Sequence, residues 1–133
     1  MSIERVNPTG LMSWPPLAHV VISPAGRLAH IAGQAAFDKD FKLLGADMYT
    51  QTLAAYKHLL IALAAVGATP ADVVSSTVYV VGLDDAKSTA FHEAMNVAVE
   101  GKPFPSHAYT MLGVSALGGT GALVEISAVA ALL

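Results

Sequence analysis

The sequence predicts an α+β fold, a mixed sheet with two helices packed on one of its faces. Three observations predict it. Strand-like and helix-like apolar patterns follow one another in the order strand, strand, helix, strand, helix, strand, strand. Glycine and proline fall at the ends of those stretches, with no linker, repeat or low-complexity segment between them, so residues 1–133 read as one domain. The chain is 54% hydrophobic and only 13% charged, where about 25% charged is ordinary for a soluble domain. So few charges cover a monomer's surface poorly, which predicts that part of the surface is buried against other subunits.

Taken in order, Met1 to Pro16 reads as an irregular arm with a short strand around Ile3 to Val6, pinned by Trp14-Pro15-Pro16. Leu17–Ser23 and Leu28–Gln34 read as strands joined by Pro24-Ala25-Gly26-Arg27 into a hairpin. Residues 35–45 form a polar connection. Asp47 is a candidate N-cap for a helix running to Val66, with Leu53, Tyr56, Leu60 and Leu63 on its inner face, Leu59, Ala62 and Val66 widening it, and Gly67 as its stop. Thr69-Pro70-Ala71-Asp72 reads as a capped single turn. Val73–Val81 is a β-branched strand, with Val74, Val78 and Val80 on one side and Ser75, Thr77 and Tyr79 on the other. Asp84 caps a second helix reaching about Val99, with Phe91, Ala94, Met95 and Ala98 inward. Residues 106–112 and 123–130 complete the strands, separated by the Gly118-Gly119-Thr120-Gly121 turn.

Composition excludes several functions. There is no cysteine, hence no disulfide, thiolate nucleophile or cysteine-type zinc site. A net charge of -3 with 7 basic residues gives no electrostatic footprint for nucleic acid. His19, His30, His58, His92 and His107 are scattered without metal-ligand spacing, so no metal is expected. No Gly-x-Ser-x-Gly elbow is present. The glycine turn at 118–121 lies between strands, without the helix N-terminus a phosphate loop needs. No apolar run is long enough to span a bilayer and no leader is read at the N-terminus, so a cytoplasmic protein is expected.

Glu125 is the only acid in the last 30 residues, and it interrupts an apolar strand. A carboxylate there is paired, exposed to a cleft, or protonated. His107 and Tyr109 lie two apart and share a strand face, as edge-strand decoration or as ligand contacts. Gly33, in the Ile31-Ala32-Gly33-Gln34 string that ends a strand, marks either a bulge or a close backbone approach to a ligand.

Four strings in this order, Ile31-Ala32-Gly33-Gln34, Gly67 with Thr69 to Val74, Thr77-Val78-Tyr79-Val80, and Val124 to Ala130, resemble the RidA family, also called YjgF or endoribonuclease L-PSP. The resemblance covers about residues 4 to 131. It implies a chorismate-mutase-like fold, a homotrimer whose sheets form a central barrel, and small-molecule clefts at the subunit interfaces. It also implies cofactor-free, metal-free hydrolysis of reactive imines and enamines to 2-oxo acids and ammonia. On this resemblance Glu125 matches the glutamate that holds the attacking water, and Gly33 the glycine that positions the substrate. The family arginine that grips the substrate carboxylate is replaced, by His107 or Tyr109 depending on the alignment. The cleft tyrosine is replaced by Leu17 or His19, and Met111 stands where some members have cysteine. The expected site is therefore an interfacial cleft holding Glu125, Gly33, His107 or Tyr109, and a residue of Leu17–His19. Its expected activity is that of a divergent imine hydrolase. The alternatives are a non-catalytic metabolite-binding trimer and, least supported by this composition, an endoribonuclease.

Overall fold

The structure is a computed structural model describing residues 2–133, and Met1 lies outside the described residues. Its strands are β1 (Glu4–Val6), β2 (Val20–Ile22), β3 (Arg27–Ala35), β4 (Val73–Val81), β5 (Ala108–Val114) and β6 (Val124–Leu132). Its helices are α1 (Met48–Ala65) and α2 (Asp85–Met95), and a single 3-10 turn spans Pro70–Asp72. Four strands form one mixed sheet in the order β3-β6-β4-β5, antiparallel except for the parallel β4/β5 pair. The alternation in β6 decides which face is inside. Val124, Ile126, Ala128 and Ala130 are buried under the helices, while Glu125, Ser127 and Val129 stand half-buried on the opposite face. That opposite face is left uncovered within one chain.

The helix starts follow the sequence signals. The Asp47 carboxylate accepts from the Thr50 amide at 2.7 Å, and Asp84 accepts from the Lys87 amide at 2.8 Å. The Asp72 carboxylate reaches back over the 3-10 turn and accepts from the Thr69 amide at 2.7 Å and from its hydroxyl at 3.2 Å.

Four expectations are corrected. Leu17–Ser23 and Leu28–Gln34 do not form a hairpin: β2 pairs with β1 in a separate two-stranded ribbon, and β3 pairs with β6. Pro24, at the would-be turn, has no amide to give to a hairpin ladder, and β6 offers β3 a long partner whose alternation matches its own. The buried stripe of α1 runs through Gln51, Thr52, Ala55, Tyr56, Leu59 and Leu63, with Leu53, Leu60 and Ala62 only half-buried and Val66 exposed, so the inner face is turned toward polar Gln51 and Thr52. A register shift between Val73 and Ser75 puts Val73, not Val74, in the core beside Val78 and Val80. The second helix ends at Met95, not Val99: the Met95 carbonyl accepts from the Phe104 amide at 3.0 Å, and Val99 bridges back to Lys102.

Tyr56 packs at the centre of the core, its ring 5.0 Å from Phe104 and 5.8 Å from Phe91. Its buried hydroxyl has no hydrogen-bond partner among the described residues, and burial pushes its pKa upward. An unsatisfied buried hydroxyl costs about 1–3 kcal/mol. Tyr56→Phe is therefore expected to leave stability unchanged or to raise it by about 1 kcal/mol in urea unfolding. A clear loss of stability would reveal a partner for the hydroxyl.

Candidate functional site

Gly33 and Glu125 meet where the β3/β6 ladder is irregular. The register shifts between Ile31 and Gln34, and Ala35 then pairs with Glu125. The missing side chain at Gly33 is what admits the glutamate: a Cβ there would lie 2.6 Å from the Glu125 Cδ and 2.7 Å from its Cγ. Of the three states open to Glu125, the structure shows exposure to a cleft. It is half-buried, has neither a hydrogen bond nor a salt bridge to any described side chain, and lines a cavity of about 490 Å³. Gly33, Phe37, Asp38, Phe41 and Gly119 share that cavity.

The loops framing the cavity are held by a residue the sequence reading passed over. Gln51 of α1 is fully buried. Its amide nitrogen donates to the Gly45 and Gly121 carbonyls, each at 3.1 Å, and its oxygen accepts from the Leu123 amide at 2.8 Å. A second overlooked residue, His58, also lines the cavity. Its Nδ1 donates to the Ala35 carbonyl at 2.9 Å. This leaves Nε2 as a lone-pair acceptor in the neutral ring. Neither residue carries a sequence signal beyond a polar side chain on an amphipathic helix.

Leu17 and His19 lie elsewhere. Leu17 bridges to His107 ahead of β5, and the His19 Nε2 donates to the Met12 carbonyl at 2.6 Å. Both border a second cleft of about 620 Å³ on the uncovered sheet face, floored by Ser75, Thr77 and Ser127. Cross-strand registers measure the separation: Glu125 pairs with Tyr79, and Tyr79 with Leu112. Tyr109 and His107 precede Leu112 by three and five residues, or about 10 and about 16 Å along a strand. One chain thus brings Glu125 and Gly33 together, and Leu17 and His19 together, but does not join the two groups.

His107 and Tyr109 turn toward the helix side. His107 is 1% exposed, donates from Nδ1 to the Pro105 carbonyl at 2.9 Å, and accepts at Nε2 from the Ser76 hydroxyl at 2.7 Å. Burial pushes its pKa down, the Pro105 bond opposes this, and the Arg5 charge adds to the lowering. It is a neutral core imidazole, with no cationic donor to offer a carboxylate. Tyr109 borders the second cleft, but its hydroxyl accepts from the Trp14 indole at 3.0 Å and donates to His92 Nε2 at 2.8 Å. Burial raises its pKa against the opposing Trp14 bond. On β5 the side chains facing the open side are those of Ala108, Thr110 and Leu112. Arg5 is held by the Ser106 and Ala71 carbonyls at 2.7 and 3.1 Å, and Arg27 opens β3. Neither arginine lines the Glu125 cavity.

This arrangement defines a class: an α+β protein of one mixed sheet on two helices, with a glycine-backed glutamate on its last strand. The chain belongs to the endoribonuclease L-PSP family, whose model matches residues 11–132, and it has the RidA/YjgF fold. It is similar to the Rid-family protein YyfB from Yersinia pestis, a protein of unknown function, at 35% identity over 99% of this chain and 100% of that one, with a TM-score of 0.90. Rv2704 from Mycobacterium tuberculosis, of the YjgF/YER057c/UK114 family, is 33% identical over 86% of each chain, with a TM-score of 0.63. RidA from an Antarctic Psychrobacter shares the fold at 21% identity, 94% and 93% coverage and a TM-score of 0.68. No curated protein matches the chain. Among the described residues, no helix is long and apolar enough to cross a membrane.

The His107 environment predicts a pH dependence. Its folded pKa lies below the ordinary 6.5, so over the interval between the two values the unfolded chain binds a proton that the folded chain refuses. Its contribution to stability is full above that ordinary value and is lost as pH falls through the folded value. Urea midpoints of the parent should fall between about pH 7 and about pH 5. His107→Leu should be less stable near neutrality by about 1–3 kcal/mol and show a shallower fall. Equal slopes in the two proteins would refute a neutral, buried His107.

Proposed function

We propose that this protein is a divergent imine or enamine hydrolase in which Glu125 holds and activates the attacking water. The carrying observation is the unpaired, half-buried Glu125 carboxylate in a cavity backed by Gly33. In the step this supports, Glu125 takes a proton from water as the water oxygen adds to the C=N carbon. The nitrogen recovers that proton, takes the hydroxyl proton of the adduct as the C=O bond forms, and leaves as ammonia or amine with the electron pair of the breaking C–N bond. The products are a carbonyl compound and the amine, with no cofactor consumed. General-base assistance of this kind contributes typically ~10²–10⁴ in rate.

We further propose a homotrimer in which the uncovered sheet face is buried between copies, with small-molecule clefts at the interfaces. The separation of Glu125 and Gly33 from Leu17 and His19 supports this reading, since a second copy can bring one group against the other. A non-catalytic metabolite-binding trimer is the second reading, favoured by the absence of an arginine from the cavity. An endoribonuclease is the least supported, because no lysine or arginine lines the Glu125 cavity and the net charge is -3. A cytoplasmic location fits these readings and is proposed with them.

Two outcomes are expected. Ammonia release from freshly generated 2-iminopropanoate and 2-iminobutanoate should be weak. An anionic substrate meets Glu125 with no guanidinium to offset the repulsion, and loss of a buried partner charge typically costs ~3–5 kcal/mol, roughly two to four orders of magnitude in rate. Glu125→Gln should abolish whatever activity remains; hydrolysis unchanged in that variant would remove Glu125 from the mechanism. Separately, light scattering should report three copies at micromolar concentration, burying on the order of 2,000 Å² or more. A monomer there would refute the interfacial cleft.

A further inference from the structure

The Glu125 cavity is unusual in what its side chains offer. Glu125 is an unpaired anion, and His58, fixed through Nδ1 by the Ala35 carbonyl, presents only an acceptor at Nε2 in its neutral form. Asp38 adds a second carboxylate, whose Oδ1 is already taken by the Asp40 and Lys42 amides at 2.8 and 2.9 Å. No lysine or arginine lines the cavity. Gln34 adds a side-chain amide whose nitrogen is already committed to the Ala32 carbonyl at 3.2 Å, and Phe37 and Phe41 supply the large apolar surfaces. The Phe37 and Phe41 rings lie 5.5 Å apart at 45°. Phe41 is 80% exposed and held at φ 64°, a left-handed conformation that an aromatic residue seldom adopts. On the other side Gly119 carries no side chain where a Cβ would strike the Phe37 ring, so the ring lies directly against the glycine turn.

From this set we infer that the cavity takes an organic cation without a carboxylate, a protonated amine or iminium, with His58 as its second point of attachment after Glu125. This deepens the hydrolytic reading by naming the substrate class of the same site, and rests on it for the chemistry but not for the binding. The two carboxylates, with no lysine or arginine among the lining residues, repel an anionic ligand. A nitrogen bearing several N–H groups satisfies Glu125 and Nε2 of His58 together, in charge-assisted hydrogen bonds. Its positive charge is also attracted to the negative faces of the two phenylalanine rings. A ligand of this class loses nothing by the missing arginine, because it brings no carboxylate to be gripped.

The test compares two probes of one shape and opposite charge, isobutylammonium and isovalerate, by calorimetry on the intact protein. Isobutylammonium is expected to bind at least about tenfold more tightly. Glu125→Gln and His58→Leu should each weaken it by about ten- to a hundredfold. In the parent, NMR signals of the His58 ring should move as isobutylammonium is added, a readout that does not depend on either variant folding. Equal or tighter isovalerate binding, no ammonium binding at millimolar concentration, or His58 signals that stay still would each overturn the inference. The two readings also fail separately. Ammonium binding through Glu125 and His58 with no imine hydrolysis removes the hydrolase and keeps the cation site. Hydrolysis through Glu125 with no preference for cations does the reverse.

Discussion

The Gln51 amide is the contact on which the geometry of the site depends. It is one buried polar side chain whose donors and acceptor are matched to three backbone groups in two different loops. The side chain that makes all three contacts is itself fully buried, so its own polar atoms are satisfied only by these backbone groups. Satisfying them from the first turn of α1 fixes where the loop after β3 ends and where β6 begins. Glu125 follows Leu123 by two residues, so a shift at the clamp carries straight to the carboxylate. The same clamp sets the glycine turn opposite Phe37, and with it the width of the cavity.

Around that clamp the chain keeps its polar groups in two separate systems. On the helix side, Ser76, His107 and the Trp14-Tyr109-His92 chain satisfy one another, and His92 in turn donates from Nδ1 to the Ser88 carbonyl at 2.8 Å. These are closed networks with nothing left over, which rigidify the core. At the Glu125 cavity, Glu125 and His58 retain unused acceptors. The Tyr56 hydroxyl is also unsatisfied but is sealed in the core, whereas the unused acceptors of Glu125 and His58 line a cavity that a ligand can enter.

Much of this was legible in the sequence where the signal is local. Asp47, Asp84 and the Thr69–Asp72 pair mark their own helix and turn starts, because a cap acts within one turn. The alternation of Val124 to Ala130 announces a strand with one buried face and makes Glu125 stand out on the other. Gly33 was legible only together with Glu125, since its role is to leave room. What was not legible is non-local. Nothing in Val20–Ile22 says that its partner is Glu4–Val6 rather than Arg27–Ala35, for pairing is chosen among all available edges. The Val73/Ser75 shift changes side-chain parity without a glycine to mark it. His107 reads as a surface histidine until Ser76, thirty-one residues earlier, is found beside it. His58 reads as one more polar helix residue until Ala35 fixes its tautomer.

The place of β6 in the sheet has a consequence for how the chain is made. It lies between β3 and β4, yet both are synthesised before it, and its pairing with β3 joins Arg27, in the first quarter of the chain, to Leu132, next to the last residue. Until β6 emerges, β3 has no ladder and β4 has one bare edge. High contact order of this kind slows folding and leaves strand edges open to wrong partners in the meantime. The β1/β2 ribbon and the α1–α2 pair can form earlier, from neighbours already present. The nascent protein therefore carries its helices before it has the central strand they pack on, and the glutamate of its site arrives only with that strand.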